Sequence, residues 1–418
     1  MKKIFLAVLM VGIALGINTF ALAKTPTTIS FWFLGADRAS NEYFTDSAKT
    51  FGETHPQIKV DAVILPSTQA DMDLKLNAAI LSGTFPDVLS VLISTIGSRG
   101  PRGDFYPLDK YIMNWADKND IYESVYDVGK CNNKIVGLGY NPVPEVLVYR
   151  KDFFKEAGLD PNRPPENWDE LAAYAKKLVV KDANHNVIRA GFDIPAVNSN
   201  AFMKIFFYQN NAAVIDVKKQ KPLLNDAAMI SALNYIIQLK NENISIPYDY
   251  QKKDSIPFVY GKSAMSFIQP TQIAQLLESN PSLKDKIGLA PVLTGKKKID
   301  LCGYRLFAIG NASKYKKESW EFIKYMMSKE QMRYRYTNLK IPVVRKSMED
   351  EFIAKDPTFN KVLIDYVKYG KGDIAISWNT LSVKYINLAF EEAYSGKKTP
   401  AQALMDAQNN LVRELKNL

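Results

Sequence analysis

The chain has 418 residues, 47% of them hydrophobic, and a formal net charge of +10 at neutral pH. This composition is typical of a globular protein, and its length suits two domains or one large two-lobed body. With only two cysteines and two histidines, the composition excludes a fold built on disulfides and makes a zinc site improbable.

The first 23 residues have the pattern of an export signal. Lys2 and Lys3 precede an uncharged apolar run, Ile4 to Ile17, and Ala21-Leu22-Ala23 forms a cleavage site of the A-x-A kind. The run is shorter than the ~20 residues needed to span a bilayer. We therefore expect an exported, soluble protein that is cleaved near Ala23, and removal of the two lysines lowers the net charge to +8.

The next part of the chain alternates between strand and helix patterns. TTISFWF is a predicted strand, a helix with Phe44, Ala48 and Phe51 on one face follows, and IKVDAVIL alternates as a strand does. A helix over 69–82 ends at Gly83, and VLSVLI is typical of a strand buried on both faces. This order predicts an α/β fold with parallel pairing.

The segment 149–180 carries the signals of two capped helices. Asp152 is a predicted N-cap of a short helix, and Gly158 is the residue expected just beyond its end. Asn167, with Glu170 three residues later, resembles a capping box at the start of the second helix. Because these residues have structural roles, we do not place the site here.

The rest of the chain adds further strands and helices. PFVYGKSAMSFI is a predicted turn that leads into a strand, IGLAPVL and LCGYRLFAIG are strand-like, and helices are predicted over about 314–332 and 399–416. The segment 341–398 is helical in parts, with a break at GKGD.

Motifs for catalysis, metal binding or nucleotide binding are mostly missing. The sequence contains no H-E-x-x-H and no G-x-S-x-G, and Y-G-K-S lacks the first glycine of a P-loop. We expect no cofactor and no metal. The lysines are scattered beside acidic residues, which favours a solvated surface over a nucleic-acid interface. Arg102-Gly103-Asp104 is an adhesion-like tripeptide in a turn, for which chance is the simpler explanation.

Two questions stay open at this level. In an exported protein Cys131 and Cys302 form either a disulfide or two buried thiols. Asp37, Asp87 and Glu145 follow or interrupt strand ends, where α/β proteins place their ligands. Carboxylates in such places suit a glycoside hydrolase as well as a binding protein.

Several segments, spread over nearly the whole chain, carry a resemblance to a known family through their order and spacing. They are ISFW, FGETHPQIKV, LNAAILSGTFPDVL, FYPLDKYI, YRKDFFKEAGLDPNRPPENWDELAAYAKKL, FVYGKSAMSF, KESWEFIKYMMSKEQ and SGKKTPAQALMDAQNNL. Together they resemble the extracellular solute-binding proteins of ABC importers, of the carbohydrate-uptake type that includes maltose-binding and glycerol-3-phosphate-binding proteins.

The resemblance implies a two-lobed periplasmic-binding-protein fold of type II. Each lobe is then a mixed sheet flanked by helices, and the lobes are joined by a hinge. The N-terminal lobe is expected to hold 24–140 plus 303–342, and the C-terminal lobe 141–302 plus 343–418. The implied protein is not an enzyme: as a monomer it binds a small sugar or polyol between the lobes and is recognised, closed, by a membrane permease.

A sugar needs apolar platforms and paired hydrogen-bonding groups. The candidate ligand-binding residues, taken from strand ends and from the positions that the resemblance implies, are Trp32, Asp37, Arg38, Asp87, Tyr140, Glu145, Gln269, Thr271, Tyr304, Arg305 and Trp378. For Trp32 and Trp378 a packing role stays open, and for Asp87 a capping role.

The charge of the ligand also stays open. Where many sugar receptors of this type carry a tryptophan, this chain has Thr271, and a hydroxyl at a helix N-terminus suits an anion. Together with Arg38 and Arg305, this leaves glycerol-3-phosphate, a sugar phosphate or a uronate as an alternative to a neutral sugar. The opposing interpretation is that both arginines form surface salt bridges.

Overall fold

The computed structural model describes residues 25–66, 68–216, 219, 221–373 and 376–417. The predicted export signal and its cleavage site near Ala23 lie outside the described residues. Within the described ranges, no helix has both the length and the apolar character needed to cross a membrane.

The described chain alternates between short strands and helices. The strands are β1 (Thr27–Leu34), β2 (Ile58–Leu65), β3 (Val88–Leu92), β4 (Lys130–Cys131), β5 (Lys134–Ile135), β6 (Leu138–Pro144), β7 (Val146–Arg150), β8 (Val180–Lys181), β9 (Val187–Arg189), β10 (Ile215–Asp216), β11 (Lys221–Pro222), β12 (Met265–Ile268), β13 (Ile287–Leu289), β14 (Asp300–Ile309) and β15 (Gly370–Lys371).

The α-helices are α1 (Arg38–Thr54), α2 (Gln69–Leu81), α3 (Ile93–Arg99), α4 (Asp109–Met113), α5 (Glu123–Asp127), α6 (Lys151–Glu156), α7 (Trp168–Leu178), α8 (Asn200–Gln209), α9 (Ala227–Asn241), α10 (Pro270–Ser279), α11 (Lys316–Met326), α12 (Lys329–Asn338), α13 (Glu349–Lys355), α14 (Pro357–Lys368), α15 (Asn379–Tyr394) and α16 (Pro400–Leu415). Short 3-10 helices cover Lys118–Asp120, Lys253–Ser255, Pro257–Tyr260, Pro281–Leu283 and Lys346–Met348.

Two sheets organise the fold. In the first, the strand order is β15-β14-β3-β1-β2, and β6 also pairs with β14. β1 runs parallel to both β2 and β3, which confirms the predicted parallel pairing, whereas β14 is antiparallel to β3 and β6. The second sheet has the order β12-β7-β13, with both outer strands antiparallel to β7.

Each sheet has its own hydrophobic core. Strand β7 lies between the two cores, because alternate side chains of a strand point to opposite faces. Val146 and Val148 pack into the first core, around β1 and β3. Leu147 and Tyr149 pack into the second core, around α8, α15 and α16.

Most of the predicted helix signals are confirmed, with one correction in the 149–180 segment. Gly158 has a φ of 71°, and the Asn167 side chain accepts the Glu170 N–H at 2.9 Å, as predicted. Asp152 is not an N-cap, because α6 begins at Lys151 and the N-cap position is Arg150. The Asp152 carboxylate instead binds the Arg150 guanidinium at 2.6 Å.

The single helix predicted over 314–332 is two helices. α11 ends at Met326, and α12 begins at Lys329. Ser328 separates them because its side chain accepts the Gln331 N–H at 3.3 Å, which is an N-cap interaction. Cys131 and Cys302 are buried free thiols. Of the two alternatives left open for this pair, a disulfide or two buried thiols, the structure contains the thiols.

A buried carboxyl group lies between two residues of the second core, Phe192 and Ile194. Asp193 is completely buried, and its Oδ2 accepts the Phe258 N–H at 3.2 Å. Burial raises the pKa of Asp193 to about 7, although neighbouring hydrogen bonds oppose the rise. The folded protein therefore holds this proton over a pH range in which an unfolded aspartate, with a pKa of about 4, has lost it.

This difference in pKa predicts a pH-dependent stability. The contribution of Asp193 is complete below about pH 4 and is lost as the pH rises through the folded-state pKa near 7. Between pH 5 and 8, we expect Asp193→Asn to remove on the order of 2 kcal/mol of the pH-dependent change in unfolding free energy. Urea unfolding at pH 5, 6, 7 and 8 measures it. The exposed control Asp46→Asn should keep the wild-type slope, and an unchanged slope in Asp193→Asn would contradict the prediction.

Candidate functional site

A cavity of about 440 Å³ opens where several strands of the first sheet end. Ala36 and Asp37, just after β1, and the segment 92–94, at the end of β3, form part of its lining. Parallel strands end at the same sheet edge, where open α/β sheets bind ligands. The segment 140–143 of β6 and 303–305 of β14 continue this wall.

The opposite wall comes from the second sheet and its helix. Gln269, Pro270 and Thr271, at the N-terminus of α10, line the cavity, and the end of α12 with the following segment closes one side. The cavity therefore lies between elements of the two sheets. A larger groove of about 1120 Å³, between 123–133 and 368–377, is lined by none of the eleven candidate residues.

The structure brings six of the eleven candidates to the lining of this one cavity. They are Asp37, Tyr140, Gln269, Thr271, Tyr304 and Arg305. The five that do not line it are Trp32, Arg38, Asp87, Glu145 and Trp378. A role in ligand contact stays a prediction for all of them.

Three of the five candidates outside the lining have polar partners within the protein. Arg38 is highly exposed and pairs with Glu42 on the next turn at 2.6 Å. Glu145 is buried and accepts a hydrogen bond from the Gln269 side chain at 2.9 Å. Burial raises the pKa of Glu145, although the Gln269 hydrogen bond opposes the rise.

Asp87 connects three segments of the chain: its own, just before β3, strand β1, and the segment that follows β14. Its Oδ2 accepts the Ser30 N–H at 2.8 Å and the Ser30 hydroxyl at 3.0 Å. Its Oδ1 accepts the Ser313 hydroxyl at 2.6 Å. All of these contacts favour a structural role for the carboxylate.

The two candidate tryptophans lie against the hydrophobic cores. Trp378 is 8% exposed and belongs to the second core. Trp32 is half-buried and packs against the first core. Packing against the hydrophobic cores is therefore sufficient to explain the positions of both tryptophan rings.

The aromatic side chains that line the cavity are also buried. Tyr43, Phe44, Tyr140 and Tyr304 are each at most 4% exposed. Tyr140 stacks on Phe307 at a centroid distance of 4.0 Å, and its hydroxyl is 2.7 Å from the Ser90 Oγ. In the described lining, no aromatic ring offers an open face of the kind on which a sugar stacks.

Asp37 has a structural partner although it lines the cavity. It is the N-cap of α1, and its carboxylate accepts the Ser40 N–H at 2.9 Å and the Ser40 hydroxyl at 2.8 Å. Partial burial acts to raise the pKa of Asp37, but the hydrogen bonds from Ser40 outweigh it and the pKa is lowered. The Asp37 carboxylate therefore stays ionised at neutral pH, and both of its oxygens accept hydrogen bonds from Ser40.

Sequence reasoning missed Arg335 and Lys340, the other cationic residues of the lining. One signal was present for Arg335, which lies at helical spacing from Met332 and Leu339, on the apolar stripe of α12. The charged residues of the lining are then Arg305, Arg335 and Lys340 against the single carboxylate of Asp37. The described lining has an excess of positive charge.

Comparison with protein families gives one match that covers most of the chain. The family described as bacterial extracellular solute-binding protein matches residues 35–333.

Curated relatives match over part of the chain. The sn-glycerol-3-phosphate-binding periplasmic protein UgpB of Brucella abortus (strain 2308) is 31% identical over 193 residues, which cover 44% of this chain and 42% of the relative. UgpB of Escherichia coli (strain UTI89 / UPEC) is 31% identical over 176 residues, covering 40% and 39%. The match thus spans about two fifths of the length of these relatives.

Solved structures show the same fold over more than nine tenths of the chain. The sugar-binding protein MalE from Xanthomonas citri has a TM-score of 0.83 at 18% identity, covering 94% of this chain and 98% of that one. A solute-binding protein from Thermotoga lettingae bound with alpha-D-tagatose has a TM-score of 0.71 at 20% identity, covering 92% and 98%. The predicted two-lobed α/β fold is confirmed.

The contacts of Asp87 predict that its replacement affects stability. Asp87→Ala removes the acceptor of the Ser30 and Ser313 hydrogen bonds, so we expect a loss of about 1.5 to 3 kcal/mol in unfolding free energy, the range for hydrogen bonds to charged groups. Chemical denaturation measures it, with the exposed Asp46→Ala as a control that changes stability by less than about 0.5 kcal/mol. A variant with wild-type stability but weakened ligand binding would instead restore the ligand-contact role predicted from the sequence.

Proposed function

The chain belongs to the family of bacterial extracellular solute-binding proteins, and we propose that it is the periplasmic receptor of an ABC importer, which binds a sugar or oligosaccharide between its lobes. The observation that carries this proposal is the cavity at the carboxyl ends of β1 and β3, whose opposite wall is the N-terminus of α10. A ligand held there contacts both sheets at once. Its binding is therefore coupled to the relative position of the lobes.

We propose 24–140 plus 303–342 as the N-terminal lobe and 141–302 plus 343–418 as the C-terminal lobe. Two features support a hinge near the first crossing: β6 pairs in the first sheet and β7 in the second, and only Glu145 separates them. Helix α14 lies close to the boundary, because Tyr366 packs into the first core and its hydroxyl accepts the Leu147 N–H at 3.0 Å.

The polar groups of the cavity suit sugar hydroxyls. Asn141 and Gln269 carry amide groups, and Ser94 and Thr271 carry hydroxyl groups, which together provide donors and acceptors for hydroxyls. Gln269 is positioned by its hydrogen bond to Glu145. In this proposal the candidate ligand contacts are Asp37, Tyr140, Gln269, Thr271, Tyr304 and Arg305, with Asn141 added.

Binding without turnover fits the described lining better than glycoside hydrolysis does. Hydrolysis of a glycosidic bond needs two carboxyl groups that flank it. In the described lining Asp37 is the single carboxylate, and it caps α1. The protein in this proposal acts as a monomer and releases its ligand, unchanged, to a membrane permease.

Ligand binding should stabilise the folded protein. A screen of neutral mono- and oligosaccharides by thermal shift, followed by calorimetric titration, should find a sugar that raises the melting temperature, because the ligand binds only the folded state. At a concentration of 100 times Kd the gain is about 2.7 kcal/mol. Asn141→Ala should weaken binding about fivefold to tenfold, the equivalent of one lost hydrogen bond.

The control for that variant is Asn162→Ala, in the exposed loop before α7, which should bind as the wild type does. Chromatography of the sugar after long incubation should return it intact. Release of hydrolysis products would establish an enzyme and overturn the proposal.

Ligand binding should also bring the lobes together. Small-angle X-ray scattering of the protein with saturating ligand should give a smaller radius of gyration than the free protein, because hinge closure makes the molecule more compact. An identical scattering profile, with binding shown in the same sample by calorimetry, would rule out closure as the signal that the permease recognises.

A further inference from the structure

Three arginines are among the largest side chains that are fully buried: Arg99, Arg335 and Arg345. A buried guanidinium is costly unless an anionic partner compensates its charge. Arg345 has two such partners, Asp117 at 2.8 Å and Asp120 at 2.9 Å.

Arg99 is compensated in the same way. Its guanidinium pairs with Asp73 at 2.9 Å and Asp104 at 3.2 Å, and it also donates to the Asn77 side chain at 2.9 Å. Asp104 belongs to the Arg102-Gly103-Asp104 tripeptide, so the structure gives this carboxylate a role within the fold.

Arg335 differs from both. Its Nη1 donates to the Tyr43 hydroxyl at 2.9 Å and to the Met326 carbonyl oxygen at 2.7 Å, and both acceptors are neutral. Its Nη2 is buried and has no hydrogen-bond partner among the described residues. No carboxylate of the described chain forms an ion pair with it.

The aromatic rings near Arg335 do not replace an anion. The guanidinium carbon lies 5.5 Å from the centroid of the Tyr140 ring and 6.0 Å from that of Tyr43. Cation–π contacts contribute about 0.5 to 2 kcal/mol, whereas burial of an ion costs several kcal/mol. Because the cost of burial exceeds the cation–π contribution, the charge of Arg335 is not compensated by these rings.

This uncompensated cation lines the proposed ligand cavity, and it is not alone there. Arg305 is half-buried in the same lining, and its one described hydrogen bond is a long one, 3.4 Å, to the Leu34 carbonyl oxygen. Both guanidinium groups are close enough to Tyr140 to oppose the rise in its pKa that burial causes.

The facing wall also favours negative charge. α10 presents its first residues, Pro270 and Thr271, to the cavity, and a helix N-terminus carries a partial positive charge. Its N-cap residue is the neutral Gln269, which donates to the carboxyl group of Glu145 at 2.9 Å, and burial of Glu145 raises its pKa and so favours the uncharged form of that group. Both walls of the cavity thus present positive potential.

We propose that the cavity binds the anionic group of its ligand, and that this group is the missing counter-ion of Arg335, with Arg305 as the second cation. The proposal rests on the receptor function proposed above and names its ligand class: a saccharide or polyol that carries a carboxylate or a phosphate. Guanidinium groups bind both anions through paired hydrogen bonds.

Matched ligand pairs test this on the wild-type protein. Calorimetric titration compares D-glucuronate and D-glucose 6-phosphate with D-glucose, digalacturonate with galactobiose, and sn-glycerol 3-phosphate with glycerol. We expect the acidic member of at least one pair to bind at least about tenfold more tightly, the effect of one charge-assisted hydrogen bond. The uronates and the phosphates separate the two sources of negative charge, and the acidic member's affinity should fall as salt is added.

Variants assign the preference to residues. Arg305→Gln keeps a half-exposed polar side chain, so it should fold, and it should reduce the preference for the acidic ligand, the ratio of acidic to neutral affinity, about tenfold or more. Arg335→Gln should do the same, and its melting temperature reports whether it is folded. Arg333→Gln is the matched control on α12, because Arg333 is exposed and pairs with Glu351 outside the cavity; it should retain the preference.

Three results would overturn the inference, and they are distinguishable. If neutral sugars bind as tightly as their acidic counterparts, the receptor function stands and the anionic ligand is wrong; if Arg305→Gln and folded Arg335→Gln both retain the preference, the receptor function stands and these two cations do not hold the anionic group. If neither acidic nor neutral saccharides bind at any concentration, the proposed sugar receptor function falls, and this inference falls with it.

Discussion

The long strand β14 is the constraint on which the site depends. Its central residues pair with β3 on one side and β6 on the other, and its first residues pair with β15. It therefore joins three segments that are far apart in the chain. Because Gly303, Tyr304 and Arg305 lie within this strand, the same hydrogen bonds that complete the first sheet also bring these residues to the cavity.

Local patterns predicted the elements well, because their causes lie within a few residues. Gly83 and Gly158 end helices in the left-handed conformation, and Asn167 caps α7 through an N–H three residues later. The wrong predictions, such as the N-cap at Asp152, arose from side-chain contacts that a local sequence pattern does not reveal. Asp152 has the right residue type for an N-cap, yet the adjacent guanidinium of Arg150 binds its carboxylate.

The same reasoning explains which parts of the site were found. Asp37, Gln269 and Thr271 follow strands, so topology alone places them at the sheet edge, and the structure brings them to one cavity. Trp378 stands between polar neighbours in the sequence, yet the ring is buried in the second core by helices from distant parts of the chain. Arg335 lies on an apolar helical stripe, where a sequence pattern predicts packing and gives no sign of a missing counter-ion.

A buried carboxyl group and a buried guanidinium group differ in whether they can become uncharged, and this difference bears on the charge of the ligand that we propose. Burial raises the pKa of Asp193 and of Asp300, and the neighbouring Glu145 raises that of Asp300 further. A carboxyl group in such a place can take up a proton and become neutral, so it needs no partner ion. A guanidinium cannot lose its proton in a protein. Arg335 is a buried guanidinium with no ion pair to a carboxylate of the described chain, and it is the cation that our proposal pairs with the anionic group of the ligand.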